Sequence, residues 1–151
     1  MRALPVMLLV LLLASCGSAA TPEGLPKLAE SLRADGEAVM SKMSDAFNEA
    51  DPEVAEDASE DQACADDGTK RVFRATGEAT ADDDPSGDHG LVETTLVGWF
   101  QERGYEIERF PTNDTGPREY TFSKDRLKFS ASVENGETTA YEVVGQTPCL
   151  S

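Results

Sequence analysis

The sequence predicts an α+β domain: a four- to five-stranded antiparallel sheet covered by one helix and preceded by an N-terminal amphipathic helix. Three observations predict it. Apolar residues recur every three or four positions from Leu25 to Ala50. Leu127, Phe129, Ala131 and Val133 alternate with Lys128, Ser130 and Ser132. The last third of the chain holds successive strand patterns with no helical pattern among them. The first spacing is that of a helix with one buried stripe, and the second that of a half-buried strand.

The chain begins with a single positive charge at Arg2, an eleven-residue apolar run from Ala3 to Leu13, and the small residues Ala14 and Ser15. These make a secretory signal peptide over residues 1–15, too short to span a bilayer as a helix. Leu13-Ala14-Ser15-Cys16 resembles the lipobox of bacterial lipoproteins. The resemblance implies cleavage before Cys16, a diacylglyceryl thioether on its sulfur, fatty acyl (palmitate-type) chains, and a lipidated tether over residues 16–23. Each buried methylene contributes about 0.8 kcal/mol and a single chain binds membranes only marginally, so two or more chains anchor without a membrane-spanning helix. The alternatives are an ordinary signal peptide or a buried apolar helix, with Cys16 a plain thiol. Either would leave an exported chain with an unpaired reactive cysteine.

Residues 24–50 form the amphipathic helix, with Leu25, Leu28, Leu32, Val39, Met43, Phe47 and Ala50 on one stripe and a gap at Gly36. Pro26 suits its first turn and Asp51-Pro52 ends it. Such a stripe either packs on its own domain or binds a partner. Residues 51–69 carry Asp51, Glu53, Glu56, Asp57, Glu60, Asp61, Asp66 and Asp67 with no basic residue among them, the composition of a solvated acidic linker.

The compact domain spans residues 70–151. Residues 71–80 read as a strand weakened by Gly77. After a loop over 81–90, Leu91, Val92, Leu96, Trp99 and Phe100 have helical periodicity, and Gly104 is placed to cap that helix. Strands follow at residues 105–110, 119–123, 127–133 and 138–144, with Asn135-Gly136 as the turn of a hairpin. The helix covers the apolar face of this meander, with Trp99 inside. Strand, helix, four-strand meander resembles the element order of cystatin-type folds. That resemblance implies a fold and no activity, since no Gln-x-Val-x-Gly inhibitor motif is present.

The chain carries 13 basic and 29 acidic residues, and loss of residues 1–15 removes only Arg2, leaving 12 basic residues and a formal charge of −17. Such a surface repels nucleic acid, which is excluded as a partner. Of three cysteines, lipidation of Cys16 leaves two, Cys64 and Cys149, which pair as a disulfide in an oxidising compartment; the alternative is two separately buried thiols. The lipobox, the acidic Ala-rich leader and the terminal Thr147-Pro148-Cys149 together resemble the small lipoproteins of high-GC Gram-positive bacteria, a group without assigned function. That resemblance implies a cell-envelope protein on the extracytoplasmic face of the cytoplasmic membrane.

One segment carries a chemical motif. Asp82, Asp84, Ser86, Asp88 and Glu93, with Gly87 at the sixth position, match the spacing of a calcium loop, oxygen donors around a sharp turn. Pro85 within the loop, His89 at a position that is usually aliphatic and the lack of an entering helix count against it. The other reading is a turn into the helix, capped by Asp84 or Asp88, with Glu93 favouring the helix dipole. Apart from this possible Ca2+, no cofactor is expected. His89 is the only histidine, so histidine-rich metal sites are excluded and a nucleophile–histidine pair has only His89 to draw on. The expectation is a non-enzymatic lipoprotein, anchored to the membrane through its lipid, that binds an envelope protein or a small ligand. The alternatives are a calcium-dependent surface domain and a small extracytoplasmic hydrolase.

Overall fold

The computed structural model of this protein describes residues 24–47, 52–79, 85–111, 116–135 and 138–151. Two helices and eight strands lie among them: α1 (Leu25–Phe47), β1 (Glu53–Glu56), β2 (Gln62–Ala63), β3 (Thr69–Lys70), β4 (Val72–Ala79), α2 (Pro85–Glu102), β5 (Glu106–Arg109), β6 (Arg118–Lys124), β7 (Leu127–Asn135) and β8 (Thr139–Gln146). The fold is α+β, as expected. Six strands form one antiparallel sheet in the order β1-β4-β8-β7-β6-β5, and β2 and β3 form a separate two-stranded sheet. Both helices lie on one face of the large sheet: Gly36 of α1 abuts Phe73 of β4, and Phe100 of α2 stacks on Phe122 of β6 with ring centroids 4.2 Å apart.

Helix α1 begins where Gly24, at φ 92°, turns the chain and its carbonyl accepts the Leu28 N–H at 3.1 Å. Its buried residues are Leu25, Ala29, Leu32, Gly36, Val39, Met40 and Met43. The gap at Gly36 is therefore part of the stripe. A Cβ there would lie 2.5 Å from the Phe73 ring, so the missing side chain is what lets the helix approach the sheet. The expected extension of this helix to Ala50 falls outside the described residues.

Helix α2 starts at Pro85, six residues before the expected Leu91, because proline needs no N–H in a first turn and already holds a helical φ. Its C-terminus is as expected. Gly104 sits at φ 81° while Gly104 N–H reaches the Gln101 carbonyl at 3.0 Å and Tyr105 N–H the Phe100 carbonyl at 2.9 Å. These are the two bonds of a Schellman ending. They turn Tyr105 inward, where its ring meets Phe100 and Phe129 edge-on at 5.2 and 5.6 Å. Trp99 is buried, as expected.

The sheet has six strands rather than four to five. The additional one, β1, comes from the segment expected to be acidic linker, and it pairs Glu53 with Thr76 and Val54 with Ala75 on the edge of β4. Composition conceals it: an edge strand keeps its charged side chains in water, so no alternation of apolar residues marks it. The strand before α2 pairs along its length with the last strand, β8, from Val72↔Gln146 to Ala79↔Thr139. Asn135 pairs with Thr139 at the end of β7, so it belongs to the ladder rather than to the turn; Gly136 lies outside the described residues. The tight two-residue connection is instead Asp125-Arg126, with Asp125 at φ 53° between the paired Lys124 and Leu127. Among the described residues, no helix is long and apolar enough to cross a membrane.

Candidate functional site

Alternation divides the sheet into two unlike faces. Phe73, Ala75 and Ala79 of β4, Tyr141 and Val143 of β8, Phe129, Ala131 and Val133 of β7, and Tyr120 and Phe122 of β6 lie under the helices and are buried. The residues between them form the opposite face, which no element among the described residues covers. Register aligns Arg74, Val144, Ser130, Thr121 and Arg109 in one row across five strands, and Thr76, Glu142, Ser132 and Glu119 in the next. Ser130 and Ser132 of β7 thus lie in the middle beside Val144 and Glu142 of β8. Charges ring them, among them the ion pairs Arg74–Glu142 at 3.3 Å and Lys128–Glu108 at 2.8 Å. The hydrogen bond from Lys128 first, and then that from Ser123, hold the Glu108 carboxyl below its usual range. This is a broad, polar and solvated surface, displayed by a rigid sheet.

The calcium-loop residues are placed only in part. Asp82 and Asp84 fall outside the described residues. Ser86 and Asp88 lie within α2, on helical backbone where the motif calls for a loop. Glu93 is half-buried, and its Oε1 stands 2.8 Å from Arg118 Nε. Tyr120 also hydrogen-bonds Glu93, and desolvation first, with that bond second, pushes the phenol pKa up to about 12. The carboxylate expected to close a metal shell thus joins α2 to β6. Among the described residues, no group of three or more His, Cys, Asp or Glu side chains is arranged to hold a metal ion.

A second polar cluster links three elements around Asp35 of α1. Its Oδ2 accepts the Tyr105 hydroxyl at 2.8 Å, and its Oδ1 lies 3.6 Å from Arg103, whose guanidinium covers the Trp99 ring at 5.1 Å. Burial, ahead of the Asp35 bond and charge, raises the Tyr105 pKa well above the ordinary phenol range. A neutral tyrosine donating to a carboxylate is a structural lock between α1 and the end of α2.

Cys64 and Cys149 are joined in a disulfide, 85 residues apart in sequence. Around it the C-terminus lies against β3: Thr69 N–H donates to the Leu150 carbonyl at 2.7 Å and Leu150 N–H to the Thr69 carbonyl at 2.9 Å. Arg71, which the sequence did not single out, holds the turn before β2. Its guanidinium binds Asp61 at 2.6 Å, the Ala58 carbonyl at 3.1 Å and the Ser59 carbonyl. An arginine in an acidic chain carries no local signal of such a role.

No family model, curated protein or solved structure matches this chain. The geometry therefore stands alone. It offers a wide polar face and a covalently fastened C-terminus.

Proposed function

We propose that this protein is a lipid-anchored lipoprotein on the extracytoplasmic face of the cell membrane, where its α+β domain acts as a binding or interaction module. The observation that carries the reading is Leu13-Ala14-Ser15-Cys16 at the end of an apolar run. The disulfide supports it, because such bonds persist in oxidising compartments. The uncovered sheet face supports the module, since a two-layer domain whose helices all lie on one side keeps its other side available to a partner, either an envelope protein or a small ligand. The small-lipoprotein resemblance agrees with that location, and the cystatin-type resemblance stays one of element order.

The reading is non-enzymatic. Cys64 and Cys149 are consumed by each other, and His89 is the sole histidine. A calcium-dependent role loses the support of Glu93, whose carboxylate is committed to Arg118 and Tyr120. Photo-crosslinking in intact cells tests the module. A crosslinker at Ser130 or Thr121 should give a discrete adduct, whereas one at exposed Arg33 on α1 should not. Equal labelling from both positions, or none from either, would count against the sheet face as the binding surface.

A further inference from the structure

The segment from Asp57 to Lys70 and the C-terminal residues from Thr147 onward lie outside the ladders of the large sheet. Strands β2 and β3 join no strand of the large sheet, and Ala58 is the single apolar residue of that segment in the core cluster. Apolar burial therefore fastens it weakly. Its attachments are polar or covalent: the isolated Thr69–Leu150 bridge, the bonds between Arg71 and Thr147, the guanidinium contacts of Arg71, the side-chain bonds from Gln62 to Glu56 and from Lys70 to Gln146, and the Cys64–Cys149 disulfide. Cys149 is exposed while Cys64 is half-buried, so the bond reaches the surface on its Cys149 side. Gly68 is buried beneath the strap, where a Cβ would lie 3.4 Å from that of Cys149 and 3.2 Å from the Leu150 carbonyl.

We infer that the Cys64–Cys149 disulfide is a redox latch: its reduction frees the 57–70 segment and the C-terminal strap together and leaves the helix-covered sheet folded. The reductant is a dithiol of the exchange-protein class. One of its thiolates attacks Cys149 Sγ, the sulfur–sulfur bond breaks, and Cys64 Sγ leaves and takes a proton. The reductant's second thiolate resolves the mixed disulfide, so the dithiol ends oxidised and both protein cysteines end as thiols, a transfer of two electrons and two protons. Release follows because stability is local: a unit with little apolar burial opens at a cost far below that of the core it borders. Freed, the strap carries its buried residue Thr147 into water. The change is reversible because the folded sheet keeps Val72 paired with Gln146, where the two freed segments leave it, so oxidation rejoins the same two sulfurs.

Hydrogen exchange on the full chain at neutral pH, with and without dithiothreitol, tests this. On reduction the Cys64, Thr69, Thr147 and Leu150 amides should exchange close to the unstructured-chain rate, while the β7 and β8 amides, faster only by the global stability the bond contributes, stay at least about 100-fold protected. Loss of protection across β7 and β8 in step would show that the disulfide holds the whole fold. Unchanged protection at the four amides would show that the strap needs no disulfide. Either result overturns the latch. The Cys64→Ser/Cys149→Ser double variant should reproduce the reduced pattern without dithiothreitol. If it does not fold, the latch is overturned as well, because an intact core without the bond is what the inference requires.

Discussion

Gly36 shows how one missing side chain sets the separation of two layers. Gly36→Ala places a methyl group 2.5 Å from the Phe73 ring in a closely packed interior, so the helix or the ring has to move. The expected destabilisation is about 1–3 kcal/mol, read as a fall in denaturation midpoint with unchanged m-value. Tyr105 makes a second residue-scale test. Its folded pKa lies above the ordinary value of 10.0, so the folded state holds its proton at a pH where the unfolded chain has lost it. The resulting stability is fully present below pH 10 and declines as pH rises above it, and Tyr120, at about 12, acts in the same direction. Tyr105→Phe should cost about 1 kcal/mol at neutral pH by removing the bond to Asp35, and should make the loss of stability above pH 10 shallower. An alkaline decline as steep in the variant as in the wild type would assign the effect elsewhere.

At the scale of elements, legibility in the sequence followed the strength of the apolar signal. The α1 stripe and the β7 alternation are unambiguous because each buries one face, and Gly104 marks the end of α2 because only a left-handed residue closes that turn. Strand β1 was not legible, since Glu53, Ala55 and Glu56 contribute nothing to a core and the strand exists through backbone pairing with β4. The start of α2 was misplaced because Asp82 to Asp88 resemble a cation loop. The tie of Glu93 to Arg118 and Tyr120 was also invisible, since β6 is brought beside α2 only by the fold. These contacts make a prediction about α2. Calcium at millimolar concentration should leave the melting temperature within about 1 °C of its value in chelator, whereas Glu93→Gln should destabilise by about 1–3 kcal/mol by leaving Arg118 without its counter-charge. A saturable calcium-dependent rise in melting temperature, lost in Glu93→Gln, would restore the metal reading.

The whole molecule is organised so that one sheet face builds the core and the other meets water, with both edges protected. Strands β1 and β5 are four residues each, charged, and interrupted by irregular pairing, features that discourage a second sheet from adding to them. The disulfide closes a loop that contains β3 to β8 and α2 and leaves α1, β1 and β2 outside it. On the chain-entropy model a loop of 85 residues corresponds to about 4–5 kcal/mol, so reduction should lower the melting temperature even while the core stays cooperative at ambient temperature. On the proposed reading the chain loses residues 1–15 and carries a net charge of −17, which repels other acidic surfaces, so residence at a membrane would come from the lipid rather than from the protein surface. That dependence is the central claim, and the mature N-terminus tests it most directly. Intact-mass and N-terminal peptide spectrometry on the protein from its native membrane should find Cys16 as the first residue, carrying a diacylglyceryl thioether, and Cys16→Ala should leave the detergent phase. A mature protein recovered in the soluble fraction with Cys16 unmodified would contradict the account.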